Sequence, residues 1–462
     1  MVGYTGDNYL RDDTICAPFT PPGKGAMSAI RLSGPEAFAI TDAVFKPVSK
    51  TQWVERQLNI GEVRDGDEII DRPLAAKFLK PNSFTGEDVV EFHVHGSPYI
   101  VRRVIQTLAF HGAREAMPGE FSLRAFMNGR MDLTQAEGLA DLINARTEAQ
   151  HKAALAQLSG GLREKVGDIR NSLLRLLGAV EVTFDHPGEV VEAESIEPAP
   201  VIDNHIADLK SLIDTYERGR LLREGLRLGI FGRPNVGKSS LMNRLLGRRR
   251  ALVADEPGTT RDVIEAPLDI AGIEMNLIDT AGLRTEATGL EAAGQELTKE
   301  EIRDADVKLI MIDGSFSVTP DDIAVFSQVT EGKIIVIINK IDLPQAIELA
   351  DVEMLAAGKP IAKISCLTGE GIGGLLAAIE ELVLSGEGEI SDLIITNSRH
   401  HTALSGALEC LHNAASIFAG GFPEDLAAME LRLAIEKLQG ITGGDFSEDL
   451  YATIFSEFCL GK

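Results

Sequence analysis

Gly232-Arg-Pro-Asn-Val-Gly237-Lys238-Ser239 follows the spacing G-x4-G-K-[ST], and that spacing serves one kind of chemistry, the grip on a row of phosphates. Glycines let successive backbone N–H groups turn inward, and the helix opening at the lysine adds the positive end of its dipole. Lys238 can reach the β- and γ-phosphates, and the Ser239 hydroxyl can sit on Mg2+. The motif follows the apolar run Leu226–Phe231 and opens a helical pattern. That context separates a phosphate loop from a chance glycine turn. The expected contacts are Gly232, Asn235, Val236, Gly237, Lys238, Ser239 and Ser240.

Two further motifs arrive in the right order. Asp279-Thr280-Ala-Gly282 ends an apolar strand, which places Asp279 near Mg2+, directly or through a water. Thr280 belongs to the same turn, and the Gly282 N–H can swing onto a γ-phosphate. Asn339-Lys340-Ile-Asp342 follows Ile334–Ile338. Its Asp342 can accept from both N1–H and the exocyclic amine of guanine. Adenine lacks that pair, and unpaired buried polar groups cost ~10⁴-fold or more in discrimination. Ser365-Cys-Leu367 can add backbone support to the base. The expected nucleotide is GTP.

Between the first two motifs lies Gly258-Thr-Thr-Arg-Asp262, where a first switch segment belongs. Thr260 is the expected second Mg2+ ligand, with Thr259 as the alternative. After Gly282 stands Leu283, where Ras-like GTPases carry the glutamine that orients the attacking water. A leucine cannot hold water. Either hydrolysis is poor or another residue acts, and the polar segment Leu283–Thr298 offers Glu286, Glu291 and Glu296.

The elements that must position these residues fall into three textures. Residues 1–130 carry short β-like runs such as Ser28–Ser33, Ala75–Leu79 and Asp88–Val94, separated by Pro/Gly clusters, which predicts an α+β domain. Residues 131–222 turn helical: Leu133, Ala136, Leu139, Ala140 and Ile143 share a face, and Leu162 to Leu177 continue the theme. A helix is expected over about 201–218. Residues 223–385 alternate near-continuous apolar strands with helices, the pattern of a parallel sheet buried on both faces. Helical texture returns over 386–462, in Ala403–Phe418 and Pro423–Leu438. One helical domain interrupted by the α/β domain is the simplest arrangement; two separate helical domains are the other.

The 462 residues are 44% hydrophobic and 25% charged, enough for several cores and no sign of general disorder. The net charge of −25 repels phosphate backbones, so nucleic acid requires a local basic patch or a partner. Arg248-Arg-Arg250 is one short basic run, though such runs usually end a solvated helix. The four cysteines, Cys16, Cys366, Cys410 and Cys459, form no CxxC pair, which argues against a disulfide framework or zinc site and for a reducing compartment. No apolar run approaches the ~18–20 residues of a membrane span, and the polar N-terminus is unlike a signal peptide. The expected location is cytoplasmic.

The nucleotide motifs, GTTRD, DTAGLR, the interrupted helical texture and the terminal Cys459-Leu-Gly-Lys462 together resemble the MnmE (TrmE) family of tRNA-modification GTPases, over essentially the whole chain. Pro81–Glu91, Pro118–Ser122 and Leu133–Glu137 look like that family's first-domain signatures. The resemblance implies a homodimer whose N-terminal α+β domain binds a folate of the 5-formyl- or 5,10-methylene-tetrahydrofolate type. It implies an inserted Ras-like G domain that needs K+ as well as Mg2+. It also implies a flavin (FAD) partner, MnmG (GidA), with which an aminomethyl-type group is placed on C5 of the wobble uridine of certain tRNAs. Carried over by position, the K+ ligands fall on Asn235 and on the backbone oxygens of Ala254, Glu256 and Thr259. The catalytic glutamate falls on Glu291. The folate contacts fall on Arg31, Glu91, Arg130 and Lys462, with arginine at 130 where lysine is common. Cys459 falls beside the folate chemistry; the plainer reading is a buried thiol. Competing readings are a ribosome-assembly switch, which usually carries a basic RNA-binding domain, and a stand-alone one-carbon transferase with a regulatory GTPase. Folate binding together with tRNA nucleoside analysis separates them.

Overall fold

The computed structural model describes residues 12–48, 53–185, 197–250, 268–270, 272–278, 302–384, 393–444, 451, 454, 455, 458 and 461. Their contacts divide the chain into two compact units. One comprises Met1–Asn144, Ala154–Ala207 and Ala403–Lys462, and the other Ala145–Ala153 and Asp208–Thr402.

In the first unit an eight-stranded sheet is assembled from β1 (Ile15–Pro18), β2 (Met27–Ser33), β3 (Phe45–Pro47), β4 (Asn59–Asp65), β5 (Glu68–Asp71), β6 (Leu74–Phe78), β7 (Val89–His95) and β8 (Arg114–Glu115). Its order is β3-β4-β6-β7-β2-β1-β8, with β5 paired to β4. The three runs read as strands from the sequence are β2, β6 and β7. The β4–β5 hairpin turns through Gly66-Asp67, between the paired Asp65 and Glu68, with Gly66 at φ +58 in the first turn position, a hairpin dipeptide whose flanking residues are too polar to stand out. Helices α1 (Ala37–Val44) and α2 (Pro98–Phe110) cover the sheet through Ile40, Val44, Val104 and Leu108, against Ile30, Leu32 and Phe92. α3 (Glu120–Met127) and α4 (Leu133–Asn144) share a cluster with Tyr451, Phe455 and Phe458 near the C-terminus. Burying each such ring contributes roughly 1.5–3 kcal/mol. Helices from the two sides of the α/β segment also pack together: α6 (Gly161–Asp185) lies along α14 (Glu424–Thr442).

The second unit is built on a six-stranded sheet of β9 (Leu226–Phe231), β10 (Leu268–Ile270), β11 (Ile273–Ile278), β12 (Val307–Asp313), β13 (Lys333–Asn339) and β14 (Ile361–Lys363). Its order is β10-β11-β9-β12-β13-β14, parallel except for β10. Every residue of β12 is buried, as expected for a strand covered on both faces. The helices are α8 (Tyr216–Glu224), α9 (Lys238–Arg250), α10 (Pro320–Gln328), α11 (Leu349–Ala356) and α12 (Ile372–Leu384). The single helix expected over 201–218 is instead α7 (Pro198–Asp214) followed by α8. They part at Thr215, whose hydroxyl donates to the Leu212 carbonyl at 2.7 Å. Helices α5 (Glu148–Leu158) and α13 (Ser398–Gly420) complete the set. The first turn of α5 belongs to this second unit. Thr147 Oγ1 donates to the Gly272 carbonyl, Gln150 Nε2 to the Leu222 carbonyl, and Arg146 pairs with Glu274 at 2.9 Å.

Candidate functional site

β9 ends at Phe231 and α9 begins at Lys238, so the first motif spans a strand-to-helix turn. The turn uses unusual backbone: φ is +154 at Gly232, +65 at Asn235 and +108 at Gly237. A Cβ on Gly232 would lie 2.6 Å from the Met311 carbonyl oxygen, and one on Gly237 2.3 Å from Asn339 Nδ2. Both positions therefore require glycine. Val236 is fully buried beneath the loop, whereas Asn235, Ser239 and Ser240 are exposed.

Lys238 is half-buried. Its Nζ donates to the carbonyls of Gly232 at 2.6 Å and Arg233 at 3.0 Å. No carboxylate among the described residues pairs with it, and burial pushes its pKa below the usual lysine value. A desolvated ammonium balanced only by carbonyl dipoles is a strong attractor for an anion.

The Asn339 side chain ties the base motif to the phosphate loop. Its Nδ2 donates to the Val236 carbonyl at 2.7 Å, and its Oδ1 accepts from the Cys366 N–H at 3.1 Å. Lys340, at φ +66, donates to Asp313 Oδ2 at 2.6 Å. Desolvation works to raise the Asp313 pKa, but Lys340 and Ser315 outweigh it and hold the carboxyl below its usual range. Asp342 is exposed, and its Oδ1 accepts from Ser365 Oγ at 2.5 Å. Ser365 in turn is fully buried and accepts from the Thr368 N–H. One side of the Asp342 carboxylate is thus fixed while the group stays open to solvent, as a reader of base edges must be. Burial raises the neighbouring Cys366 thiol to about 11, which keeps it a thiol rather than a nucleophile.

In the first unit Arg31 and Glu91 face each other across β2 and β7, with Arg31 Nη2 and Nε at 2.9 and 3.1 Å from Glu91 Oε1. Three rings surround the guanidinium: Phe84 at 4.4 Å, Phe19 at 4.5 Å and Phe121 at 5.5 Å. Burial lowers the Arg31 pKa, and Glu91 opposes that shift. Arg130 is exposed, and its stem lies against Gly86, two residues from Phe84. Gly461 rests on the backbone of Pro18 and Phe19, so that a Cβ there would meet the Pro18 carbonyl oxygen at 2.2 Å. The chain's C-terminal end therefore reaches the strand end that carries one ring of the Arg31 frame.

Glu291, Cys459, Lys462, Ala254, Glu256, Thr259, Thr260, Asp279, Thr280 and Gly282 lie outside the described residues, as do Leu283, Glu286 and Glu296, and so do the side chains of Arg248–Arg250. Several described residues gain importance that the sequence reading did not give them. Phe84 and Phe121 sit inside the first-domain signatures, and their spacing says nothing of a shared arginine. Asp313 ends an apolar strand, as Asp279 does in the sequence, and that analogy was the available signal. Thr319-Pro-Asp-Asp322 forms a capping box at the start of α10, a pattern readable from spacing alone. Glu120 is buried between Arg114 and Arg124, at 2.6 and 3.0 Å. His95 pairs with Asp71 at 2.7 Å. No helix among the described residues is long and apolar enough to cross a membrane.

Two family models match the chain: one described as GTP-binding protein TrmE N-terminus, over residues 14–130, and one described as MnmE helical domain, over residues 133–459. A protein of Moorella thermoacetica named tRNA modification GTPase MnmE is 42% identical over 465 residues, covering 98% of this chain and 100% of its own. Its namesake in Acetivibrio thermocellus is 38% identical over 460 residues, with the same coverage. Among solved structures, the G domain of the T. maritima FeoB iron transporter is 28% identical, with a TM-score of 0.27, and covers 34% of this chain and 98% of that one.

Proposed function

The chain belongs to the MnmE family of tRNA modification GTPases, and from that membership we propose the details of its reaction. It is a GTP hydrolase acting in tRNA modification. On the proposed reading its hydrolysis depends on K+, it works as a cytoplasmic homodimer, and its partner is the flavin protein MnmG (GidA). Together they add an aminomethyl-type group to C5 of the wobble uridine of certain tRNAs, using a tetrahydrofolate one-carbon unit. The proposed division of labour is residues 1–130 for folate and dimerisation, 131–222 with 386–462 as the helical domain, and 223–385 as the G domain.

The observation that carries the nucleotide half is Lys238, a half-buried ammonium held among the described residues by two loop carbonyls and no carboxylate. Lys238 exchanges those carbonyls for β- and γ-phosphate oxygens, while the loop N–H groups cradle the phosphates. Ser239 stands at the N-terminus of α9, where Mg2+ would neutralise phosphate charge; Thr260 and Asp279 would share it. Asp342, steadied by Ser365, accepts from guanine. Asn235 is exposed in the loop, which suits a K+ ligand, with Ala254, Glu256 and Thr259 completing the shell. Glu291 positions the attacking water in place of the absent glutamine. For the one-carbon half, the aromatic frame of Arg31 supports a planar ring ligand, with Glu91, Arg130 and Lys462 as polar contacts and Cys459 beside them.

The test has two arms. GTP turnover by purified protein is compared in KCl and NaCl at equal ionic strength, with faster turnover in KCl expected. Wobble-uridine nucleosides are measured by mass spectrometry in a null strain with and without the gene. Equal turnover in both salts would remove the K+ reading, and unmodified uridine in the complemented strain would remove the proposed product.

A further inference from the structure

Arg233 occupies the first turn of the phosphate loop, between Gly232 and Pro234. Its backbone carbonyl is one of the two that receive Lys238 Nζ. Its side chain serves a different purpose. Nε lies 3.2 Å from Asp322 Oδ1, with the Asp322 side chain almost wholly buried. Both atoms are shut off from solvent and have no hydrogen-bond partner among the described residues, so what joins them is a buried ion pair. The other oxygen of Asp322 accepts from Thr319 N–H at 3.0 Å and Thr319 Oγ1 at 2.6 Å, closing the capping box of α10. The Phe316 ring lies 5.7 Å from the guanidinium. One carboxylate therefore both caps a helix and holds an arginine of the phosphate loop.

We propose that Arg233 is a positioning residue for nucleotide binding, which through Asp322 ties the first turn of the phosphate loop to the N-terminus of α10. The loop is short and carries three residues at positive φ, so an untied loop would divide its time among several conformations. A ligand bound by one of them is bound more weakly in proportion to that conformation's share. The brace keeps the phosphate-binding conformation dominant and keeps the Arg233 carbonyl where Lys238 is stored. GDP and GTP share the β-phosphate that this turn surrounds, so losing the brace weakens both alike.

The inference rests on the nucleotide reading above, and the experiment separates the two. Equilibrium Kd values for fluorescent GDP and a non-hydrolysable GTP analogue are measured for the wild type, Arg233→Ala, Arg233→Lys, Asp322→Asn and Arg233→Ala/Asp322→Asn, alongside thermal unfolding without nucleotide. Arg233→Ala should weaken both ligands by roughly tenfold, and the double variant should be no weaker than the weaker single, because coupled residues do not add. Arg233→Lys should recover most of the affinity, and in turnover the loss should fall on KM more than on kcat. Unchanged Kd in Arg233→Ala, equal Kd for the alanine and lysine variants, or additive losses would overturn the proposal. If Asp322→Asn fails to fold, the alanine–lysine comparison still decides. A wild type that binds neither nucleotide would defeat the nucleotide reading itself.

Discussion

The phosphate loop and the Arg31 pocket each present a cation away from bulk water, and they balance it in opposite ways. Among the described residues Lys238 is set against two carbonyls and no carboxylate. Arg31 has a carboxylate at 2.9 Å and three rings around it. The first arrangement is incomplete without an anion; the second is already neutral. A ligand at Lys238 is therefore bound through charge, whereas a ligand beside Arg31 is bound through flat apolar surface and must share or displace Glu91. The two sites should respond differently to losing their cation.

The largest difference is expected at Lys238. Lys238→Ala should lower kcat/KM for GTP by on the order of 10²–10³, the range for losing one strong donor to developing charge. Its thermal midpoint without nucleotide should change little, because no carboxylate among the described residues is orphaned. A large drop in that midpoint would show that the lysine holds the loop together in its own right.

Asp342→Asn should come next. GTP affinity should fall at least ~100-fold, because a site built to accept two donors now presents one donor against them. Xanthosine triphosphate should become the better ligand, since xanthine carries a carbonyl where guanine carries the amine. Competition binding with the two nucleotides measures this directly, and unchanged GTP affinity would remove Asp342 from the base site.

These two residues were legible in the sequence for a physical reason. The nucleotide site is made of contiguous backbone, so Gly232–Ser239 and Asn339–Asp342 each carry their geometry in their own spacing. The strand-loop-helix context could be read from apolar runs. The Arg31 pocket is made of side chains 60 residues apart on paired strands, with rings from three further segments. No local pattern encodes such a meeting, and only family resemblance pointed to Arg31 and Glu91. The Arg233–Asp322 pair was hidden for the same reason, although each partner stood inside a readable motif.

Arg31→Met tests the other side of the comparison. It leaves the Glu91 carboxylate without its cation, so stability should fall by about 2 kcal/mol, less than the ~3–5 kcal/mol of fully buried pairs because Glu91 retains some exposure. The sole tryptophan, Trp53, packs against Phe45 with ring centroids 5.0 Å apart and planes tilted by 47°, so its fluorescence reports unfolding of this sheet. A transition at the wild-type urea concentration would mean that the pair contributes nothing net.

The smallest expected effect concerns pH, and it too separates the two regions. Asp13 accepts from Arg114 and Arg124 at 2.8 and 2.6 Å, in a network that reaches Glu87 on the segment carrying Phe84. Desolvation works to raise the Asp13 pKa, but the hydrogen bonds from the two arginines prevail and hold it below the ordinary 3.8. As pH falls, the unfolded chain takes up this proton first. The stabilisation is therefore complete above about pH 3.8 and drains away as pH drops through the lower folded value. Asp13 keeps about 30% of its side-chain exposure, so the amount should stay under about 1 kcal/mol. Unfolding followed by Trp53 between pH 5 and 3 should show an acid slope that Asp13→Asn reduces. The nucleotide site has its own acid-sensitive group in Asp313, paired to Lys340, and that group belongs to the other compact unit. An Asp313→Asn protein should therefore keep the wild-type Trp53 slope. If both variants flatten it equally, the two regions unfold as one cooperative body, and the contrast between them is confined to ligand binding.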